Sequence, residues 1–131
     1  MTNRTPWDDT ENGGLLALYF TMLDCVEAGE DYSKAELIRI SRGIDNDYTA
    51  PLANRSRGSI EFKLMNASAA HADIIAETLK LPADMAQSLA LPQTMHGHGY
   101  RAMPNYQAAL KAAMVAELGR REVDSNHEAS A

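Results

Sequence analysis

The residues best equipped for chemistry crowd into one stretch, Arg55-Ser56-Arg57-Gly58-Ser59-Ile60-Glu61-Phe62-Lys63-Leu64-Met65-Asn66. Arginine can clamp a guanine edge or a phosphate with paired N–H groups, asparagine can read an adenine, and serine can hold a phosphate oxygen. Arg55, Ser56, Arg57, Lys63 and Asn66 are therefore the candidate contacts to nucleic acid. A structural use competes with this reading. Arg55 and Arg57 can pair with Asp45, Asp47 or Glu61, and Asn66 can cap or bridge packed helices. No nucleophile–base pair or phosphate loop accompanies the stretch, so it points to binding and not to an enzyme. Glu61 and Lys63, two positions apart, do not face each other on a helix. Met95-His96-Gly97-His98-Gly99 offers two histidines in a glycine-punctuated loop, but no cysteine or carboxylate beside them completes a metal site. Neither metal nor cofactor is expected.

A second candidate surface is acidic. Asp24, Glu27, Glu30 and Asp31 gather where the first helix should end, and negative charge there opposes the helix dipole. They read either as a solvated surface or as a patch for a basic protein partner. Net charge is −6. Residues 1–31 hold Arg4 as their one basic residue against seven acidic ones, whereas the remainder is balanced. DNA-binding domains are usually basic because phosphate neutralisation supplies affinity, so the composition argues against strong nonspecific DNA binding.

Helices must position these groups. Asp8, Asp9 and Thr10 are all suited to cap a first helix, whose firm part should begin near residue 14, after Gly13-Gly14. Leu15, Leu18, Tyr19, Met22, Leu23 and Val26 trace its buried face, and Gly29 stops it. Ser33-Lys34-Ala35-Glu36 is a capping box, with Tyr32 and Leu37 in the staple positions, and predicts a second helix over 34–43. Residues 45–54, with Pro51, read as a loop. The central helix starts at Ser56 or Ser59, buries Ile60, Leu64 and Ala67, and continues to about His71 or beyond. Pro82 and Pro92 bracket a short helix over 82–90. Asn105 can cap the last helix, which buries Tyr106, Ala109, Leu110, Ala113, Met114 and Leu118 and ends at Gly119. The expectation is a mainly α protein: a compact bundle of four longer helices with one or two short ones, loosely helix-turn-helix-like. It comprises a single domain over residues 1–119 and a disordered tail over 120–131.

The same central stretch resembles the core motif of a small helical domain found in bacterial restriction-type proteins. Arg55-Ser56, Ser59-Ile60-Glu61, Lys63, Asn66 and Ser68-Ala69 match its pattern R-S-x-G-S-I-E-x-K-x-x-N-I-S-A. The resemblance extends to Trp7, Glu11-Asn12, Tyr19-Phe20, Met22-Leu23, Gly29, Tyr32, Lys34-Ala35, Gly99-Tyr100 and Asn105-Tyr106-Gln107, spanning about residues 7–118. That domain usually precedes an HNH or other nuclease-type domain. The resemblance implies recognition of DNA, modified DNA included. The chain departs from the pattern at Ala67, which replaces isoleucine, at Leu64-Met65, and in a stretch at about 75–95 that reads as an insertion. A free-standing acidic copy suggests a second reading, an inhibitor or adaptor that binds a nuclease or another defence protein.

The totals set outer bounds. With 131 residues the chain fits one domain and needs no staple. Cys25, the single cysteine, excludes an internal disulfide and reads as a small hydrophobe. No signal peptide or membrane span is apparent, and a soluble cytoplasmic protein is expected.

Overall fold

The computed structural model describes residues 6–43, 50–90, 94–95, 98–99 and 105–130. Five helices form among them: α1 (Asp9–Ala28), α2 (Lys34–Ser41), α3 (Arg57–Leu79), α4 (Ala83–Leu89) and α5 (Ala108–Ser130). A two-residue antiparallel ladder, β1 (Thr94–Met95) with β2 (His98–Gly99), lies between α4 and α5. The expected mainly helical architecture is thus present. It is built on three long helices and two short ones, because α2 closes after eight residues. Among the described residues no helix is long and apolar enough to cross a membrane.

The first helix packs on α2, α3 and α5, and α3 on all four other helices. In α1, contact on several sides explains why the helix buries Leu16 and Phe20 in addition to the face that periodicity marks. Its start lies earlier than Gly13-Gly14 suggests. Asp8 Oδ1 accepts from the Glu11 N–H at 2.7 Å, and the Asp8 N–H donates to Glu11 Oε1 at 3.1 Å, a complete capping box. Gly14 sits against the 50–55 turn, where a Cβ would lie 2.5 Å from Pro51 Cβ. Gly29, at φ 72°, closes the helix in the left-handed region.

The box at the start of α2 is half formed. Ser33 Oγ accepts from the Glu36 N–H, but Arg39 takes the Glu36 carboxylate at 2.6 and 3.0 Å. The connection from α2 to α3 is much longer than a helix-turn-helix turn, so that analogy goes no further than the order of the elements. Asp45 and Asp47 lie outside the described residues.

Ser56 caps α3 by accepting from the Ser59 N–H at 3.1 Å. The helix then runs unbroken to Leu79, burying Ile60, Leu64 and Ala67 toward the main cluster. Ala69, Ala70 and Ala72 are also buried on α3, and α4, which buries Ala86, makes its contacts with this helix. His71 is buried too; its Nδ1 meets the Tyr19 hydroxyl at 2.8 Å, and its ring lies edge-on to Tyr19 and Phe20. It is a satisfied interior histidine, and burial, with Arg121 nearby, lowers its pKa to about 4.

The last helix departs most from expectation. Gln107, not Asn105, supplies the carbonyl that accepts from the N–H groups of Leu110 and Lys111. Leu110 and Met114 are fully buried, while Ala109 is exposed. The helix does not stop at Gly119, since helical backbone continues to Ser130. Two contacts pin the turn after Gly119: Arg121 bonds Asp24 at 2.7 Å and its guanidinium stacks 4.3 Å from the Phe20 ring centroid.

The glycine pair gives a direct check. Gly13→Ala adds a Cβ that meets nothing within 4 Å, so it should stabilise the helix by about 0.5–1 kcal/mol. Gly14→Ala should destabilise the protein through its collision with Pro51. Urea denaturation of the two variants should show midpoints moving in opposite directions. His71 gives a pH check. The unfolded chain takes up a proton near pH 6.5, but the folded one only near pH 4. Stability should therefore fall as pH drops through that window. His71→Gln, which keeps an acceptor for Tyr19, should flatten the upper part of the curve of urea midpoint against pH.

Candidate functional site

Seven polar or aromatic residues from distant parts of the chain meet where the start of α1, the first half of α3 and the lead into α5 come together. Arg55 precedes the α3 cap and turns inward, only 4% exposed. Its Nε and Nη2 donate to the two carboxylate oxygens of Glu11 at 2.5 and 2.8 Å, and Nη2 also donates to the Pro6 carbonyl at 3.1 Å. The bidentate contact holds the Glu11 carboxyl below its usual pKa against the opposing effect of burial, and raises that of Arg55. Trp7 lies across both cations of the site. The Arg55 guanidinium carbon is 4.8 Å from its ring centroid, and Lys63 Nζ is 5.4 Å away.

Lys63, two turns into α3, is 8% exposed. Its Nζ donates to Gln107 Oε1 at 3.3 Å. No carboxylate pairs with it among the described residues. Burial, and then the Arg55 charge, lower its pKa. One turn on, Asn66 is buried and donates from Nδ2 to Asn105 Oδ1 at 3.3 Å. Asn105 and Gln107 are themselves exposed, so the cluster reaches the surface through two amides. Asn12 adds an interior amide whose Nδ2 and Oδ1 have no hydrogen-bond partner among the described residues.

The five nucleic-acid candidates separate on this geometry. Arg55, Lys63 and Asn66 point into the cluster and are not an open surface. Ser56 is the α3 cap, and Arg57 is exposed but paired with Glu61 at 2.9 Å. The structural use foreseen for Arg57 is therefore present. Arg55 is paired as well, but its carboxylate comes from α1. Trp7, Glu11, Asn105 and Gln107 carry no chemical signal in isolation; their places in the motif pattern were the only pointer to them.

The acidic candidates remain on the surface. Asp24, Glu27, Glu30 and Asp31 are all exposed. Asp24 pairs with Arg121, and Asp31 also has an interaction within the chain. The last turn of α1 contains no basic residue to offset Glu27. Elsewhere the exposed cations are largely matched: Arg39 with Glu36, Lys111 with Glu77, and Arg120 with Glu117. No group of three metal-capable side chains forms among the described residues. His96 lies outside them.

Compared with protein-family models, curated proteins and solved structures, the chain matches none.

The contrast between neighbouring arginines is measurable. Arg55→Ala leaves Glu11 buried without its partner and should cost about 3–5 kcal/mol. Arg57→Ala removes an exposed pair on one helix and should cost about 0.5 kcal/mol or less. Chemical denaturation of the two variants should separate them by several-fold in lost stability.

Proposed function

We propose that the protein is a non-catalytic nucleic-acid-recognition module, related to restriction and defence proteins and acting in the cytoplasm. The observation that carries this reading is the composition of the cluster. One partly buried tryptophan, two buried cations and the amides of Asn66, Asn105 and Gln107 meet around the Glu11 carboxylate. Such a set suits a nucleotide: aromatic rings stack on bases, amides read base edges, and cations hold phosphates. The motif resemblance supports the same reading. In it, Lys63 and the exposed amides face the ligand, Ser56 and Arg57 border it at the start of α3, and Arg55 and Asn66 hold the geometry. The ligand is DNA, with modified bases among the candidates.

A second reading has its own support. Glu27 and Glu30 are exposed at the end of α1, and the described cations are mostly paired, so the surface lacks a broad basic field. An acidic adaptor or inhibitor would present this end of α1 to a basic groove on a nuclease or another defence protein.

Titration with single strands and with modified and unmodified duplexes across a salt series decides between them. On the first reading at least one ligand binds, affinity falls as salt rises, and Arg57→Ala lowers the salt slope by roughly one phosphate contact. Absence of binding at low salt to every strand and duplex removes that reading. Binding of a purified basic nuclease, lost on reversing the charges of Glu27 and Glu30, then supports the second.

A further inference from the structure

We infer that the Lys63 ammonium, between Trp7 and Gln107, is a subsite for one oxyanion, with the chemistry of a phosphate group. The inference deepens the nucleic-acid reading and depends on it only for where the phosphate comes from.

Two neighbouring cations are treated very differently. Arg55 and Lys63 are both buried and share the Trp7 ring. Arg55 receives everything a buried cation needs: two carboxylate oxygens and a backbone carbonyl. Lys63 receives one long contact to a neutral amide, and the Arg55 charge repels it. Glu11 cannot serve both, because both of its oxygens are engaged by Arg55. Buried charges are ordinarily paired, since an unpaired one forfeits its hydration without return. Among the described residues the fold pairs the Arg55 guanidinium fully and leaves the Lys63 ammonium without an anion, which suits the second to an external one.

The surroundings fit an oxyanion. Gln107 is exposed and Trp7 only partly buried, so the ammonium lies behind a thin cover and not in the depth of the core. Gln107 contributes an amide N–H donor alongside the three of the ammonium. A tetrahedral oxyanion can accept from both at once. Binding gives Lys63 the counter-charge that Glu11, held by Arg55, does not supply.

The full-length chain is tested by thermal unfolding in inorganic phosphate against chloride at fixed ionic strength, in wild type and Lys63→Met. Methionine keeps the length of the buried stem and removes the charge. Wild type should gain stability with phosphate in a saturable manner, as a ligand binding the native state requires. Lys63→Met should lose that response and should melt higher than wild type in chloride, because an unmatched buried charge is gone. Equal phosphate effects in both proteins would reduce the response to general ion exclusion and overturn the subsite. So would a variant that melts lower in chloride while keeping the response. If Lys63→Met does not fold, the wild-type protein still decides. The Trp7 indole and Gln107 side-chain amide resonances should shift saturably with phosphate, and unmoved signals refute the site. A parallel titration with a 5′-mononucleotide and a short DNA keeps the two proposals apart. Phosphate binding without nucleic-acid binding sinks the recognition reading and leaves the subsite. Nucleic-acid binding without a phosphate response does the reverse.

Discussion

The bidentate contact between Glu11 and Arg55 is the constraint on which the rest of the site depends. It joins the first turn of the first helix to the residue that leads into the third. Two elements far apart in sequence are thereby fixed in register by a contact with little angular freedom. Removing these two charges from water is expensive, and their attraction alone gives no assurance of net stability. Its effect is positional. With Arg55 held, the Pro6 carbonyl is drawn in and Trp7 is laid over the guanidinium. Glu11 serves twice, closing the capping box with one oxygen while both oxygens bind Arg55. The start of the helix and the start of the site are the same few atoms.

Much of the fold could be read from periodicity and caps. Ser33, Ser56 and Gly29 act as their types predict, and the Ile60, Leu64, Ala67 stripe is buried. The misreadings have physical causes. Gly13-Gly14 looked like weak helix, but propensity yielded to a strong cap and to a close approach that only glycine allows. Gly119 looked like a stop, yet tertiary contacts of Arg121 carry the helix past it.

The site was legible in part. Its residue types were visible on the central helix, but their direction was not. Arginine, lysine and asparagine near a helix start suggest an exposed face, and nothing in their spacing says that a carboxylate on another helix will turn Arg55 inward. Lys63 follows Ile60 by three and precedes Ala67 by four, so it sits at the margin of the apolar stripe. That position permits burial without announcing it. Asn105 reads as a helix cap and Gln107 only as a motif position; their pairing with Asn66 and Lys63 is a property of the packed state alone.

The position of α1 has a consequence for how the molecule comes into being. This helix, made first, closes its packing against α5, made last; Asp24 and Arg121 are 97 residues apart in sequence. During synthesis the chain emerges from its N-terminus, and helices can form as they appear. The parts of α1 and α3 that pack on α5 must nevertheless stay uncovered until that helix leaves the ribosome. Lys63 likewise has no Gln107 until then. Closure of this face of the core and completion of the site therefore wait on the same segment, and an interrupted chain that stops before Asn105 has Arg55 on Glu11 but neither the α5 packing nor the two surface amides.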